Sequence, residues 1–178
     1  MIKKILLGIG LVLTVFVIVA ALKPEDYVIQ RELTIKAKPE LVFRYLVSMK
    51  QVDEWMPWKE SDPQVKINYS GPEEGLGAVS NWESPGPMGT GMAEVVGVTP
   101  NQSVKTKITY TKPMEMVQDS EFILSPMGEE TKMTWVVKGK QPFFARLIST
   151  LVFMDMDKYV GGMFEKGLGN LKILVERN

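Results

Sequence analysis

A long apolar stripe at helical spacing runs through the last part of the chain, residues 141–178, and constrains the fold more than any other feature. Apolar residues recur there every three or four positions, as on one face of a helix. They are Ile148, Val152, Met156, Val160, Phe164, Leu168, Leu171 and Val175. Because helices average about 11 or 12 residues, a helix of this length would lie across a whole small domain. We therefore predict a long C-terminal helix whose apolar face packs on the strands that precede it.

Four glycines interrupt this predicted helix, namely Gly161, Gly162, Gly167 and Gly169. Inside a helix each glycine costs about 1 kcal/mol relative to alanine, so their presence needs a reason. One reason is close packing of the helix on the sheet. The other is that the missing side chains leave room for a cavity beneath the helix. Both explanations remain open from the sequence.

The composition of the chain excludes several kinds of site. The 178 residues contain no cysteine and no histidine, and 21 basic side chains balance 21 acidic ones. Without cysteine and histidine, disulfides, thiolate nucleophiles, histidine triads and the common zinc sites are excluded. An enzyme built from this chain would have to use Asp, Glu, Lys, Tyr, Ser or Thr. The balanced charge does not point to nucleic acid as a partner, and we predict no metal site and no cofactor.

The amino-terminal segment has the composition of a membrane span. Lys3 and Lys4 precede residues 5–22, which carry no charge and have Thr14 as their one polar side chain. A helix of this length extends about 27 Å, just enough for the hydrocarbon core of a bilayer. We predict a transmembrane anchor over residues 1–24 and a separate domain over residues 25–178. The alternative is a signal peptide that is cleaved after Val19-Ala20-Ala21.

The charges around this segment predict its orientation. Two lysines lie before it, whereas Lys23 is followed by Glu25 and Asp26. By the positive-inside rule the amino terminus then stays in the cytoplasm. We predict a single-pass protein of a bacterial-type inner (plasma) membrane, with its C-terminal domain outside the cytoplasm.

A two-residue period, typical of strands with one buried face, dominates the middle of the chain. It is present in residues 27–36 and, after two short helical segments at 39–46 and 51–56, in six further runs between residues 64 and 139. Short turns join these runs, which predicts an antiparallel sheet of about seven strands. Arg31 breaks the apolar parity of the first strand, and we expect it near the open end of that strand.

Several short motifs accompany this order of elements. They are Pro39 with Val42-Phe43, Trp55 to Trp58, Gly75-Leu76-Gly77, Trp82, Thr131 with Trp135 and Gly139, Met154-Asp155-Met156-Asp157, and Gly167-Leu168-Gly169-Asn170-Leu171-Lys172. From about residue 27 to its end the chain resembles the START/Bet v 1-like superfamily, and most closely the polyketide cyclase/dehydrase-like branch of SRPBCC proteins. The resemblance implies an α+β helix-grip fold, in which a curved antiparallel sheet wraps around a long C-terminal helix. It implies less about activity, because carriers, cyclases and hydrolases share this scaffold.

In such a fold the space between the sheet and the C-terminal helix is the expected ligand cavity. The inward parity of the predicted strands carries no charged residue, which suits a hydrophobic small molecule or a lipid. The residues that we expect to bind it are Trp55, Trp58, Trp82, Tyr110, Ser120, Phe122, Trp135, Met156, Tyr159 and Met163. Phe153, Met156, Tyr159 and Met163 would form the roof. The alternative is that these side chains fill the interior as a solid core.

Catalysis is a competing function. A polyketide cyclase- or dehydratase-like enzyme would need a positioned acid or base, for which Asp155 is the candidate and Asp157 and Glu165 are alternatives. The other interpretation of Asp155 is a helix N-cap that follows a break near residues 153–155. Since the sequence offers no second group to complete a catalytic pair, it favours binding without catalysis.

A third function is that of an interaction domain that binds no ligand. Three methionines in predicted loops, Met114, Met116 and Met127, support this interpretation.

Overall fold

The structure of the protein, a computed structural model, describes residues 2–153 and 155–177. Met154, part of one motif named above, and the terminal Met1 and Asn178 lie outside the described residues. The helices are α1 (Ile2–Leu22), α2 (Pro39–Val47), α3 (Met49–Trp55), α4 (Trp58–Ser61), α5 (Phe143–Leu151) and α6 (Met156–Glu176). The strands are β1 (Asp26–Ile35), β2 (Lys66–Ser70), β3 (Val79–Glu83), β4 (Thr90–Thr99), β5 (Ser103–Lys112), β6 (Met116–Met127) and β7 (Glu130–Lys140).

The strands form one antiparallel sheet in the order β1-β7-β6-β5-β4-β3-β2. Consecutive strands from β2 to β7 are neighbours, whereas β1 pairs with β7 and places Asp26 opposite Lys140. The predicted α+β helix-grip architecture is confirmed, with seven strands in the described residues and a C-terminal helix. The register brings the start of β1 to the same edge of the sheet as the ends of β3, β5 and β7. We call this edge, from which the chain leads back to α1, the proximal edge, and the opposite one the distal edge.

An aromatic cluster of Trp55, Phe122, Trp135 and Phe164 holds α6 on the sheet. Phe164 of α6 stacks on Trp135 of β7, with ring centroids 3.8 Å apart and an interplanar angle of 11°. Trp55 and Phe122 pack around the same tryptophan at centroid distances of 5.9 and 5.4 Å. All four side chains are buried. Aromatic side chains bury the largest areas in a core, so this cluster is the centre of the contact between α6 and the sheet.

The predicted single helix is in fact two helices, because the chain breaks between α5 and α6. Phe153 adopts a positive φ of 52°, which ends the helical path after α5. Asp155 caps α6, and its side-chain oxygen accepts a hydrogen bond of 3.1 Å from the backbone N–H of Lys158. The interpretation of Asp155 as a helix cap is thereby confirmed.

The break divides the apolar stripe into two parts with different surroundings. The part on α6 from Phe164 onwards is buried, whereas Ile148, Val152 and Met156 are exposed. The prediction that Phe153, Met156 and Tyr159 roof the interior is wrong, since these residues are 84%, 37% and 57% exposed. The reason is that the break interrupts the helical periodicity, so that α6 does not continue the face of α5. The face of α6 that carries Gly161 and Phe164 points inwards instead. Met163, the fourth predicted roof residue, is half-buried.

Close packing explains two of the four glycines in α6. A Cβ atom on Gly161 would lie 2.0 Å from Nη2 of Arg31, and one on Gly167 would lie 3.3 Å from Cδ of Pro57. Around Gly162 and Gly169, by contrast, an added Cβ atom would meet no other atom within 4 Å. Gly161 and Gly167 therefore allow α6 to pack closely on the sheet and on the connection between α3 and α4, and they do not mark a cavity.

Arg31 lies in the middle of β1, opposite Trp135, and not near the end of the strand as expected. Its side chain passes Gly161 and reaches two carboxylates of α6, with Nη2 2.9 Å from Asp157 and Nε 2.7 Å from Glu165. These hydrogen bonds raise the pKa of the guanidinium and hold the pKa of Asp157 below its usual value. The paired charges explain why a basic residue is tolerated on this side of the strand.

The amino-terminal helix α1 is long and apolar enough to cross a membrane, by length and composition. An anchor and a signal sequence both satisfy this test. Within the protein, α1 packs against α5. Ala20 is the buried residue of α1.

Replacing Trp135 with alanine should destabilise the fold, because it removes the centre of the aromatic cluster. We expect the free energy of unfolding to fall by about 3–5 kcal/mol, measured by urea denaturation of the full chain in detergent. Ile173→Ala, at an exposed position on α6, is the matched control and should change the same quantity by less than about 0.5 kcal/mol. A cost below about 1 kcal/mol for Trp135→Ala would mean that this side chain borders a void or the surface.

Candidate functional site

The predicted ligand-binding residues do not form one site. Trp55, Ser120, Phe122 and Trp135 are buried together under α6, where the Nε1–H of Trp135 donates a hydrogen bond of 3.0 Å to Oγ of Ser120. The Nε1–H of Trp55 donates to the backbone oxygen of Tyr45 at 3.1 Å. In this half of the interior the side chains contact one another and both indole N–H groups are paired, as in a solid core. The buried Oγ1 of Thr106, which lies opposite Ser120, has no hydrogen-bond partner among the described residues.

Trp82 and Tyr110 form a second aromatic pair nearer the proximal edge. Their ring centroids are 5.3 Å apart and the rings meet edge to face. The Nε1–H of Trp82 donates to the backbone oxygen of Met88 at 3.2 Å, which ties the ring to the β3–β4 loop. The ring lies over Gly91, where a Cβ atom would come within 2.4 Å of it. A glycine at this position is therefore required for the tryptophan to lie flat on the sheet.

A groove of about 180 Å³ opens beside this pair at the proximal edge. We call it the proximal groove. Its lining residues are Pro87, Met88, Tyr110, Lys112, Pro113, Met114, Met116 and Pro142. They come from the β3–β4 loop, from the end of β5, the start of β6 and the connection between them, and from the residue before α5, which the sheet register brings to one edge. Lys112 is the charged member of a lining that is otherwise apolar or phenolic.

Neutral hydrogen-bonding groups adjoin the groove on the inward face of the sheet. Gln118 lies opposite Ile108 of β5 and Gly139 of β7, and Tyr27 lies opposite Gly139 on β1. Burial raises the pKa of Tyr27 to about 12, although a hydrogen bond with Gln118 lowers it. Burial also raises the pKa of Tyr110. Both phenols are therefore uncharged at neutral pH and can orient a ligand without an ion pair.

The remaining predicted residues lie elsewhere. Trp58 is half-buried and packs against the core beside α3. Met156 and Tyr159 are exposed near the start of α6, and Met163 is half-buried one turn further along. The structure thus brings Trp82 and Tyr110 together with groove residues that the sequence reasoning did not single out as a site. From the sequence, Met114 and Met116 are identified only as methionines in predicted loops. The sequence pattern does not single out the other groove residues Pro87, Met88, Pro113 and Pro142.

A half-buried carboxylate on α3, that of Asp53, was also missed. Oδ2 of Asp53 accepts a hydrogen bond of 3.0 Å from Oγ of Ser80 on β3, and Tyr69 of β2 is a further hydrogen-bond partner. Burial raises the pKa of Asp53, whereas its hydrogen bonds with Ser80 and Tyr69 and the charge of Lys59 lower it. Burial and the nearby Asp53 raise the pKa of Tyr69 in turn. The three side chains join α3 to the outer strands of the sheet.

The catalytic candidates named from the sequence are engaged in structural contacts. Asp155 is exposed and caps α6. Asp157 and Glu165 are paired with Arg31 across the contact between α6 and β1.

A family model described as polyketide cyclase / dehydrase and lipid transport matches residues 27–176, which span the sheet and α6. No curated protein shows significant similarity to the chain.

Several solved structures are similar to this one. Truncated norcoclaurine synthase from Thalictrum flavum has a TM-score of 0.63 at 13% identity, covering 86% of this chain and 96% of that one. A protein from Chromobacterium violaceum has a TM-score of 0.61 at 12% identity, covering 84% and 96%. Ara h 8.0201 has a TM-score of 0.57 at 14% identity, covering 86% and 99%. At these identities the likeness shows the fold alone.

The raised pKa of Asp53 predicts a pH dependence of stability that Asp53→Asn should remove. Between the unfolded pKa of about 3.9 and the higher folded pKa, the folded state binds more protons than the unfolded state. The free energy of unfolding should therefore fall as the pH rises through this window. The Asp53→Asn variant should not show this fall of the free energy of unfolding with pH, because asparagine does not ionise. Its amide oxygen can still accept the hydrogen bond from Ser80.

The measurement is urea denaturation of both proteins at several pH values from 4 to 7. The difference in stability between Asp53→Asn and the wild type should shift in favour of the variant as the pH rises. A difference that stays constant, or that shifts towards the wild type, would show that burial does not raise this pKa.

Proposed function

This chain belongs to the polyketide cyclase / dehydrase and lipid transport family, and from that premise we propose that it is a membrane-tethered domain that binds a hydrophobic small molecule or lipid in the proximal groove. The observation that carries the proposal is the groove itself, with apolar walls of proline and methionine and an aromatic side formed by Tyr110 beside Trp82. Sites for hydrophobic ligands combine such walls with a few neutral polar groups. Tyr27, Tyr110 and Gln118 supply those groups.

The size of the groove limits the ligand. Its volume of about 180 Å³ is below the roughly 300–1,000 Å³ that is usual for pockets of drug-sized ligands. A single ring or a short stretch of acyl chain suits it without rearrangement. A larger ligand would displace Met88, Met114 or Met116, whose unbranched side chains repack easily. Affinity would come from burial, at about 25 cal/mol per Å² of apolar ligand surface.

We propose that the ligand is bound and released unchanged. Asp155, the carboxylate considered for an enzymatic role, caps α6, and the groove lining has no carboxylate. A polyketide cyclase- or dehydratase-like reaction would need an acid or base close to the ligand.

The tether in this proposal is α1, acting as an uncleaved anchor over residues 1–24 with the binding domain over residues 25–178. Support comes from the 21-residue apolar helix α1, whose most apolar stretch is almost entirely exposed. Further support comes from Lys3 and Lys4 near its start. This charge pattern favours a domain outside the cytoplasm of a bacterial-type cell. The proximal groove then opens at the edge of the sheet that faces the membrane.

Two methionine substitutions test the groove. Met88→Ser and Met116→Ser each remove apolar lining, and burial of a methionine side chain contributes about 1.5–3 kcal/mol. Each should therefore weaken binding of the fluorescent probe N-phenyl-1-naphthylamine by about tenfold. The matched control is Met127→Ser, an exposed methionine at the distal edge, which should bind the probe like the wild type.

Fluorescence titration of the full chain in detergent measures these affinities, and circular dichroism checks that each variant is folded. Equal probe affinity in all four proteins would contradict a site in the proximal groove. A loss that is as large for Met127→Ser would show that the effect is not specific to the groove.

The orientation of the tether is tested with a reporter fused to the C-terminus. Alkaline phosphatase, which is active only outside the cytoplasm, should be active in this fusion, and a green fluorescent protein fusion should be dark after export through the general secretory pathway. Membrane fractionation and amino-terminal analysis should find the intact chain in the membrane. A mature start after Ala21 would replace the anchor with a signal peptide. An inactive phosphatase fusion together with a fluorescent green fluorescent protein fusion would reverse the orientation.

A further inference from the structure

We propose that α5 and the following residues 152–153 insert into the leaflet of the bilayer on the domain side, next to α1. The partner on this surface is thus a lipid bilayer, contacted by a second element besides the anchor. This inference rests on the tether in the proposed function, and it is independent of whether the groove binds a ligand.

The first observation is that α5 has its apolar face outside and its polar face inside. Its buried residues are Arg146, Ser149 and Thr150. Its exposed face and the residues after it carry large apolar side chains. They are Phe143, Phe144, Ile148, Leu151, Val152 and Phe153. An exposed apolar patch of this kind marks a protein or membrane contact, and a helix with this inverted pattern is suited to an apolar solvent.

The second observation is the depth at which this patch lies. The rings of Phe153 and Phe16 are in edge-to-face contact, with centroids 6.0 Å apart. Phe16 lies six residues before Leu22, the last residue of the apolar span, which is about 9 Å along the helix axis. If α1 spans the bilayer, Phe153 lies at a similar depth. Helices that lie in a membrane interface bury their apolar faces by about 5–10 Å, which agrees with this distance.

The third observation is that α5 is tied by hydrogen bonds and an ion pair to the short segment that joins α1 to β1. The guanidinium of Arg146 donates to the backbone oxygen of Lys23 and pairs with a carboxylate oxygen of Glu25 at 3.4 Å. The hydroxyls of Ser149 and Thr150 donate to the backbone oxygen of Arg146 at 3.0 and 2.7 Å. The two terminal guanidinium nitrogens of Arg146 and the two hydroxyls thus have partners within the protein, whereas the buried Nε of Arg146 has none among the described residues. The apolar face of α5 is the one left for the lipid.

Phe153 is presented in an unusual backbone conformation. Its φ of 52° lies in the left-handed region, which is unfavourable for a bulky residue and clusters at functional sites. Phe153 is 84% exposed in the α5–α6 connection. Contact with lipid would offset the exposure of this ring, because burial of a phenylalanine side chain is favourable.

Lipid is favoured over a protein partner by continuity and by charge. The patch is continuous with α1 through the Phe16–Phe153 contact, and α1 is itself the segment that enters the bilayer. Residues 147–153 carry no charged side chain, so nothing in the patch would be left as an ion in hydrocarbon. The run is far shorter than the roughly 20 residues of a span, so it lies in the interface and does not cross.

The insertion also positions the proximal groove. Pro142 lines the groove and directly precedes α5. The groove therefore opens next to the inserted helix, at the lipid surface.

Site-directed spin labelling tests the insertion. Because the chain has no native cysteine, the label attaches at the introduced cysteine alone. Phe153→Cys and Phe144→Cys of the full chain are labelled with a nitroxide and reconstituted into phosphatidylcholine vesicles. Ile173→Cys, exposed on α6 away from α1, is the matched aqueous control. Leu13→Cys, exposed in the middle of α1, reports on the tether. Collision rates are measured with oxygen, which concentrates in lipid, and with a nickel chelate, which stays in water.

The expected result is an oxygen-to-nickel collision ratio at positions 144 and 153 that is several-fold higher than at position 173. Ratios at 144 and 153 equal to that at 173, with a lipid-like ratio at 13, would overturn the insertion and leave the tether intact. A label at 153 that is shielded from both reagents would indicate a protein partner, such as a second copy, and would also overturn it. A water-like ratio at 13 would overturn the tether and the insertion together.

Discussion

The stacking of Phe164 on Trp135 is the interaction on which the rest of this structure depends. It fixes α6 to the middle of the sheet, and Trp55 and Phe122 close the space around it. These rings are buried and pack against one another under α6, so no ligand is proposed there. The proximal groove begins on the other side of the interior, where Trp82 and Tyr110 form a separate pair. The fold therefore divides into a solid half that supplies stability and a looser half where binding is proposed.

The same division gives the two ends of the sheet different surroundings. The proximal edge carries the loops of the groove and the start of β1, and it is the edge to which α1 and α5 are attached. The distal edge carries the turns after β4 and β6 and the end of α6, where the backbone N–H of Lys36 donates to Glu176. A tether at the proximal edge would hold the groove close to the lipid phase, in which hydrophobic ligands concentrate. In this account, binding and membrane contact belong to one face of the molecule.

The parts of the structure that could be predicted from the sequence are those set by local spacing. The two-residue period placed Trp82, Ser120, Phe122 and Trp135 on the inward face, and all are buried. The cap at Asp155 followed from an acidic residue at a break in the helix. The exposed face of α5 could not be predicted in this way, since it depends on Arg146 reaching Lys23 and Glu25, more than a hundred residues earlier. The groove likewise depends on a register that brings separate connections together, and the hydrogen bond between Asp53 and Ser80 depends on β3 packing beside α3.

Native mass spectrometry of the full chain, extracted from its own membrane in mild detergent, tests whether the proximal groove holds an apolar ligand. We expect a population of the protein with the added mass of an apolar molecule, retained in Met127→Ser and strongly reduced in Met116→Ser. This expectation would be contradicted if every preparation gave the mass of the chain alone, or if the added mass were equally abundant in both variants.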